Sequence, residues 1–309
     1  MPSISIIIPN RNYAKFLPDC LESVRMQTIQ DWECIVIDDA STDNSCEVIG
    51  KFCSLDKRFR LIRHKECLGI SASRNTGLGA ALGDYISFLD SDDSFVETGL
   101  EILLNLALST DADMVGAQTT IVPDNFKFIP MRSPAITPMP FAWQSKANIY
   151  LSWDKSFNWC WIWRRIYKRD LIGSTRFVAE LRTLGDDLCF MLDICHKASR
   201  IVETPLISTY HRVHAASVTK VWFSERNFSF FPKMFRHIRE NLLDEYDRDF
   251  WTFYFNDTFR YMIGETIFKP SRLRVLQAEA RSALRESVRL IPKKYLNFKN
   301  RVFAWFLQW

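Results

Sequence analysis

A dense group of acidic side chains follows an apolar stretch in the sequence FLDSDD, residues 88–93. Asp90, Asp92 and Asp93 carry like charges, so they must be separated by water, protonated, or held together by a cation. Asp90 and Asp92 lie on alternate residues, and a hard ion such as Mg²⁺ or Mn²⁺ binds one or two carboxylates together with phosphate oxygens and water. The same residues could instead cap the next helix, because Asp and Ser favour that position.

Two further acidic pairs could take part in chemistry. Asp38 and Asp39 end the run ECIVIDD, and Asp186 and Asp187 occur in LRTLGDD. Each pair also has an ordinary structural interpretation. The first could form a turn before STDN, and the second could cap a helix in LCFMLDI. Either pair needs a fold that brings it to the FLDSDD segment.

The first 120 residues alternate strand and helix patterns. Apolar, β-branched runs predict buried strands at 4–8, 33–39, 60–62 and 84–90. Helical spacing predicts a helix with Pro18 in its first turn, a second opened by an Asn44–Glu47 capping box, and a third over 70–82. This alternation predicts a parallel sheet with helices on its faces, whose ligand crevice lies beyond the carboxyl ends of the strands. Three polar segments should meet there: residues 9–12, 38–39 and 90–93.

Bulk properties narrow the class of protein. A chain of 309 residues with 40 Lys+Arg and 36 Asp+Glu has a net charge of +4, too weak to indicate a nucleic-acid partner. Its 8 cysteines include no C-x-x-C pair, which predicts reduced core cysteines and a reducing compartment. No signal peptide and no apolar run of the ~20 residues that cross a bilayer is found, so a cytoplasmic location is expected.

Common glycine-based phosphate sites are missing from the sequence. No glycine precedes Gly50, so the first strand–helix turn is not a G-x-G-x-x-G loop, and no Walker A sequence occurs. The carboxyl ends of the predicted strands form a rim at one edge of the sheet. A nucleotide bound at this rim would need another source of positive charge, such as a divalent cation.

Four segments in order give the chain a family resemblance. SIIIPNRNYAKFLPDCLESVRMQT, WECIVIDDASTDNS, GISASRNTGLGAALGDYISFLDSDD and LGDDLCF together resemble the family 2 glycosyltransferases of the GT-A fold, of the bacterial surface-polysaccharide type. The resemblance is close over residues 1–110 and continues in patches toward residue 220. It implies a nucleotide-diphosphate sugar donor, most simply a UDP-sugar, and an inverting single displacement.

The resemblance also implies roles for residues of the rim. Asp39 would accept the ring N–H of the nucleobase with support from Asp38, and Arg74 would face the diphosphate. Pro9 and Tyr13 would line the base pocket. Asp90, Ser91 and Asp92 match the family's D-x-D. In that motif Asp92 ligates Mn²⁺ or Mg²⁺, Asp90 lies nearer the ribose, and Asp93 orients water or the donor sugar.

The second acidic pair resembles the family's Glu-Asp motif, with Asp186 in place of the usual Glu. That motif is similar to the site of the catalytic base, and a sugar hydroxyl needs a carboxylate within hydrogen-bonding reach to remove its proton. Asp187 is the predicted base, and the shorter Asp186 leaves the division of roles between them open. In TYHRVHAASVT, Arg212 or His214 could approach the diphosphate or the metal.

Two aromatic segments have both functional and structural interpretations. Trp159, Trp161 and Trp163 alternate, which predicts one face of a strand that could stack on an acceptor sugar, although a core position is favoured for at least two of them. The C-terminal sequence IPKKYLNFKNRVFAWFLQW mixes basic and aromatic residues at helical spacing. It suits either an interfacial helix on an anionic membrane or a helix packed on the protein.

These observations predict an α/β protein with a GT-A, mostly parallel Rossmann-like sheet and a mainly helical C-terminal extension. The predicted divisions are a nucleotide-sugar half at residues 1–120, an acceptor half at 121–221 and the extension at 222–309. The expected function is metal-dependent transfer of a sugar to a saccharide or lipid-linked saccharide acceptor. The C-terminus is expected to contact the inner face of the cytoplasmic membrane peripherally. The alternatives are a haloacid-dehalogenase-type phosphohydrolase, which normally carries its D-x-D on the first strand, and a non-catalytic nucleotide-sugar or carbohydrate binder.

Overall fold

The structure is a computed structural model that describes residues 1–128, 141–143, 161–181, 185–214, 230–246, 248–252, 254–256, 258, 278–297 and 300–301. The first half of the chain forms β1 (Ile4–Asn10), α1 (Leu17–Arg25), β2 (Trp32–Asp38), α2 (Ser45–Leu55), β3 (Phe59–Arg63), α3 (Ile70–Ala80), β4 (Tyr85–Phe88), β5 (Ser94–Phe95) and α4 (Gly99–Thr110). The second half forms β6 (Met114–Pro123), β7 (Phe141–Trp143), β8 (Arg165–Lys168), α5 (Arg169–Ile172), α6 (Asp186–Cys195), β9 (Ile201–Val213), α7 (Phe230–Asn241) and α8 (Ala278–Leu290).

The described strands make one sheet in the order β3-β2-β1-β4-β8-β6-β9-β5, with β7 beside β9. Strands β1 to β4 pair in parallel, as their apolar runs and intervening helices predict. The later strands are mixed, because β8 is antiparallel to β4 and β6, whereas β6 and β9 are parallel. The predicted boundary after residue 120 lies inside β6, so the two halves share this sheet.

Helices cover both faces of the sheet. Alternating residues of β1 separate two apolar clusters, since Ile7 packs with α6 and α7, whereas Ile6 and Ile8 pack with α1 and α4. The helical pattern around Pro18 is confirmed, and this proline lies in the first turn of α1. The capping box is wrong in detail: Asn44 precedes α2 without a side-chain cap, and the Asp43 carboxylate instead accepts the Ser45 N–H at 3.0 Å.

Helix α3 packs closely on the centre of the sheet through a glycine. A Cβ built on Gly77 would lie 2.4 Å from Cγ2 of Ile7, which is far inside van der Waals contact. This packing fixes the height of α3 above β1 and so the position of Arg74, one turn earlier in the same helix.

The C-terminal segment is described only in part. Tyr295 is buried and stacks on Phe255 with ring centroids 5.7 Å apart, so this aromatic residue packs on the protein. The Arg301 Nε–H donates to the Leu296 carbonyl at 2.7 Å. Residues 298, 299 and 302–309, which carry the rest of the predicted interfacial helix, lie outside the described residues. Among the residues that are described, no helix is long and apolar enough to cross a bilayer.

Candidate active site

The predicted rim exists at the carboxyl ends of β1, β2 and β4. Successive strands run from β1 outward to β3 and then return to β4 on the other side of β1, which makes a topological switch point. At this point the Asn10 amide donates to the Asp38 carboxylate at 3.0 Å and to the Ser41 hydroxyl at 3.2 Å. Asp38 is fully buried and also accepts the Ser41 N–H at 3.1 Å. Asp38 therefore holds the turn after β2 beside the end of β1, where Pro9 is buried.

Asp39 is held by a ring of donors from the segment after β3. Its oxygens accept the N–H groups of Leu68 and Gly69, each at 2.8 Å, and the Cys67 thiol at 3.3 Å. His64 Nδ1 lies 2.8 Å from the same carboxylate, and its Nε2 lies 2.9 Å from the Thr76 hydroxyl. Burial alone would raise the pKa of Asp39, but the hydrogen bonds from His64, Leu68 and Gly69 outweigh burial and lower it. Asp39 is thus an ionised, fixed acceptor.

Two aromatic rings from the segment after β1 lie against His214 beside the acidic motif, Asp90–Asp93. The ring of Tyr13 lies 5.9 Å from that of His214, and the ring of Phe16 lies 4.6 Å from it. Burial, followed by the charges of Asp92 and Asp90, raises the pKa of the Tyr13 hydroxyl, so it stays protonated. Tyr13 therefore lies beside the acidic motif, and its place in the base pocket stays a prediction.

Asp92 and His214 form one pair of potential metal ligands at the rim. His214 Nε2 lies 2.9 Å from an Asp92 oxygen, although 122 residues separate them in the chain. Burial raises the pKa of Asp92 to about 7, assisted by the charges of Asp93 and Asp90. Two atoms with lone pairs at this distance share either a proton or a cation.

The fit of a divalent cation can be judged from these side chains. Within the described ranges no group of three or more His, Cys, Asp or Glu side chains is arranged to hold a metal. The Asp90 carboxylate is already paired with Arg74 at 3.1 Å. One carboxylate and one imidazole remain, a set that suits Mn²⁺ or Mg²⁺ when a diphosphate and water complete the shell. The residues fit a cation that arrives with phosphate ligands.

Asp93 has a different environment from Asp92. It is buried, accepts the Arg212 N–H at 2.8 Å and lies 3.1 Å from His211 Nδ1. Burial raises the pKa of Asp93, and the hydrogen bond from His211 acts in the opposite direction. Ser91 is also buried between the acids. No helix cap is formed here, since β5 follows the motif and α4 begins only at Gly99.

Arg74 joins the two acidic regions. Its guanidinium contacts Asp186 and Asp187 through Nη1 and Asp90 through Nη2. Burial would lower the pKa of Arg74, but the three carboxylates raise it, so the side chain stays charged. Arg74 therefore neutralises these acids. Its contact with a diphosphate stays a prediction.

Asp186 and Asp187 occupy the first two positions of α6, after Gly185 in a left-handed conformation at φ 79°. Gly185 holds the N-cap position, so neither acid is the capping residue itself. Both lie in the first turn, where the Asp186 carboxylate accepts backbone N–H groups and negative charge suits the helix dipole. Burial raises the pKa of both acids despite the charge of Arg74. Asp187 keeps a side-chain exposure of 25%, whereas Asp186 has 5%, so Asp187 is the more accessible carboxylate.

Arg212 lies behind the acidic motif. Its guanidinium donates to the carbonyls of Asp124 and Phe126 and to the Asp19 carboxylate, and its Nε–H donates to the Asp92 carbonyl at 3.0 Å. These contacts tie the acidic motif to α1 and to the segment after β6, and an approach of Arg212 to a diphosphate stays a prediction.

The tryptophan segment departs from the predicted strand. Residues Ile162–Arg164 form a 3₁₀ turn, and β8 begins only at Arg165. Trp163 is buried and Trp161 is half-buried, while Trp159 lies outside the described residues. Alternation over so few residues did not distinguish a strand from this turn.

Two site residues escaped the sequence analysis, His64 and His211. His64 directly follows β3, so its position at the end of a strand marks it in the sequence. His211 lies within β9, and only its contact with Asp93 marks it.

The fold defines a class of protein. The chain superimposes on S. aureus TarS in complex with UDP-GlcNAc with a TM-score of 0.74 at 19% identity, covering 100% of this chain and 87% of that one. A mannosyltransferase from Pyrobaculum calidifontis in complex with GDP-Man and Mn²⁺ gives a TM-score of 0.55 at 16% identity, over 76% and 63% of the two chains. The architecture is the GT-A type of glycosyltransferase fold.

Sequence comparison gives the family. Residues 5–172 match the family described as Glycosyl transferase family 2, and the chain belongs to that family. The uncharacterized glycosyltransferase EpsJ of Bacillus subtilis is 30% identical over 209 residues, which are 65% of this chain and 58% of EpsJ. The chain thus matches less than two thirds of that relative's length. Membership of this family removes the phosphohydrolase alternative.

Proposed function

We propose that this protein is a metal-dependent, inverting glycosyltransferase that moves a sugar from a UDP-sugar to a saccharide or lipid-linked saccharide acceptor in surface polysaccharide synthesis. The observation that carries the proposal is the convergence of three separate segments at one sheet edge. Asp92 meets His214, and Arg74 joins Asp90 to Asp187.

The nucleobase would bind at Asp39. Its lowered pKa keeps the carboxylate ionised, as an acceptor for a ring N–H must be, and His64 and the Gly69 N–H fix its orientation. Pro9 and Tyr13 lie near the same edge and would line the pocket. The complex of TarS with UDP-GlcNAc supports uridine as the base.

Asp92 and His214 would hold Mn²⁺ or Mg²⁺, with Asp90 close by on the ribose side. The cation supplies charge neutralisation for the departing diphosphate. The mannosyltransferase complex with Mn²⁺ supports this choice of metal. Asp93, fixed by His211 and the Arg212 N–H, would orient the donor sugar.

Asp187 would remove the proton from the attacking hydroxyl of the acceptor. Its pKa is raised by burial, which moves the carboxylate toward the range in which a base works near neutral pH. Arg74 orients Asp187 and holds Asp186 beside it. Attack opposite to the leaving diphosphate then inverts the anomeric carbon.

UDP release from a panel of UDP-sugars, with and without Mn²⁺ and acceptor, tests this proposal. Asp187→Asn should bind UDP as the wild type does and lose turnover by roughly 10²–10⁴-fold, the usual contribution of a general base. Asp92→Asn should lose the turnover that Mn²⁺ supports in the wild type. The exposed Asp84→Asn is the matched control and should keep full activity.

Full activity of Asp187→Asn would remove its role as base. UDP binding without turnover by the wild type, with every donor and acceptor tried, would favour the non-catalytic binder instead.

A further inference from the structure

A cluster of three aromatic rings lies beside the acidic motif, and its two tryptophans have no part in the function proposed above. Trp161 and Trp163 stack with ring centroids 5.1 Å apart and 21° between planes. Trp163 stacks on His211 at 5.0 Å and 19°, and Trp161 lies 6.0 Å from His211. Because the three separations are similar, the rings do not form a column, and Trp163 lies against both of the others.

We propose that Trp161, Trp163 and His211 form a platform that binds the apolar face of a pyranose ring next to the Asp92–His214 pair. The proposal rests on the glycosyltransferase function above and adds a sugar subsite to it. Pyranose rings present a face of C–H groups that packs on flat aromatic surfaces, while their hydroxyls need polar partners at the edge. The platform offers both kinds of contact.

The exposure of the three rings is graded as a binding surface requires. Trp163 is 4% exposed and supports the other two, whereas Trp161 is half-buried and the His211 side chain keeps 21% of its surface. Neither tryptophan belongs to the two apolar clusters that pack the faces of the sheet. Trp163 is as buried as a core residue, so the exposed part of the platform belongs to Trp161 and His211.

The turn that carries both tryptophans is anchored from below by buried polar contacts. Arg165 donates to the Trp161 carbonyl, Arg164 donates to the Ala117 carbonyl at 2.7 Å, and the Tyr167 hydroxyl donates to the Ile162 carbonyl at 3.1 Å. A site on such a fixed support holds its side chains more accurately than a free loop would.

Both arginines pair with one buried carboxylate. Glu203 lies 3.3 Å from Arg164 and 3.0 Å from Arg165, and all three side chains are less than 10% exposed. Gly116 leaves room for the Glu203 carboxylate in this position, because a Cβ at residue 116 would clash with Oε1 and displace it. Burying three charged side chains costs free energy that only good geometry offsets. A fixed position of the turn that carries Trp161 and Trp163 would account for this cost.

His211 connects the platform to the chemistry. Its Nδ1 is 3.1 Å from Asp93, which directly follows the proposed metal ligand Asp92. Among the described residues no partner contacts its Nε2, so this nitrogen is available to a sugar hydroxyl. A ring on the platform would thus lie within reach of the donor site. The ring could belong to the donor or to the acceptor.

Binding measurements on Trp161→Ala test the proposal and separate the two sources. Calorimetry with Mn²⁺ would give affinities for UDP, UDP-glucose, UDP-galactose and UDP-GlcNAc. Saturation-transfer NMR with saturating UDP would give those for the methyl β-glycosides of the same three sugars. A donor ring predicts UDP-sugar binding about tenfold weaker than in the wild type with UDP unchanged. An acceptor ring predicts glycoside binding about tenfold weaker with UDP-sugars unchanged.

Two further variants control for other causes. Trp161→Phe keeps an aromatic face and should keep most of the sugar affinity. Tyr210→Ala removes an aromatic ring from β9, the strand that carries His211. Tyr210 packs on Phe126, so this variant should leave sugar binding unchanged. If Trp161→Ala does not fold, Trp161→Leu carries the same test, because leucine keeps apolar bulk without a flat face.

Unchanged affinities for both kinds of sugar in Trp161→Ala or Trp161→Leu would overturn the platform. So would a wild type that binds UDP and gains nothing from either an attached or a free sugar. A wild type that does not bind UDP would contradict the proposed function itself, so the two failures are distinguishable.

Discussion

Asp39 shows how much of this site is decided by individual hydrogen bonds. Its carboxylate accepts two backbone N–H groups and faces His64, and these contacts hold its pKa below the usual value against the opposing effect of burial. An asparagine has the same shape, but it would turn an N–H group toward a backbone N–H donor.

We expect Asp39→Asn to weaken UDP binding and to lower the free energy of unfolding at pH 7 by roughly 1–3 kcal/mol, the usual effect of leaving buried donors unsatisfied. A lowered folded-state pKa stabilises the native protein above the unfolded value of about 4, and this stabilisation is lost as the pH falls through the folded-state pKa. The difference between wild type and variant should therefore shrink below about pH 4.

Urea unfolding across this pH range, with calorimetry for UDP, checks both parts. The exposed Asp84→Asn is again the control and should show neither effect. A deficit that grows on acidification would contradict the assigned pKa.

The acids were predictable from the sequence, whereas their partners were not. Asp39 and Asp90 follow apolar runs, and polar residues at the ends of parallel strands converge by the geometry of the sheet. The partners of Arg74 lie 16, 112 and 113 residues away along the chain. Nothing in local spacing indicates that one guanidinium serves all three, because that contact depends on how α3 and α6 pack.

At the level of elements, helix α3 contains two glycines, Gly77 and Gly79, whose substitution by alanine should change stability in opposite directions. A Cβ on Gly77 would lie 2.4 Å from Ile7 and 3.0 Å from Ile37, whereas one on Gly79 meets nothing within 4 Å. Both residues lie inside the same helix, so the propensity change on substitution by alanine is alike and only the packing differs.

We expect Gly77→Ala to lower the free energy of unfolding by roughly 1–3 kcal/mol, because overpacking forces the helix away from β1. Gly79→Ala should raise it by roughly 0.5–1 kcal/mol through helix propensity and a less flexible unfolded chain. Equilibrium denaturation of both variants measures these shifts. Equal effects at the two positions would show that α3 does not lie as close to β1 as the structure places it.

The elements of the first half were predicted well for a physical reason. Strands such as β2 are buried on both faces and give continuous apolar runs, which turn residues interrupt clearly. The second half mixes directions, and a short segment such as Ile162–Arg164 has too few residues for its period to be recognised.

For the molecule as a whole, Arg74 links the first half of the chain to the second at the rim of the sheet. It carries positive charge from α3 to α6 and to the end of β4, and its side chain is 2% exposed. Its removal would leave three carboxylates close together with burial as the dominant influence on Asp186 and Asp187.

We expect Arg74→Met to abolish transfer and to lower the free energy of unfolding by roughly 3–5 kcal/mol, as when one member of a buried ion pair is removed. Acids whose folded-state pKa is raised bind more protons in the native than in the unfolded state, so stability falls as the pH rises from about 4 toward the folded-state pKa. The deficit should be larger at pH 8 than at pH 5.

Thermal and urea unfolding at the two pH values check this. Arg25→Met, which breaks a surface pair with Glu22, is the control and should change stability by less than about 1 kcal/mol at either pH. A deficit independent of pH would mean that Arg74 acts through packing alone.

The excess of acids at the rim has a consequence for kinetics. Among the described residues, Asp90, Asp186 and Asp187 pair with Arg74, and Asp92 and Asp93 lie beside histidines. The ionised members of this acidic group give a field that repels an approaching pyrophosphate. A cation seated between Asp92 and His214 would reverse that field locally. We therefore expect ordered binding, in which the cation binds before or together with the nucleotide sugar. The product UDP should then leave together with the cation.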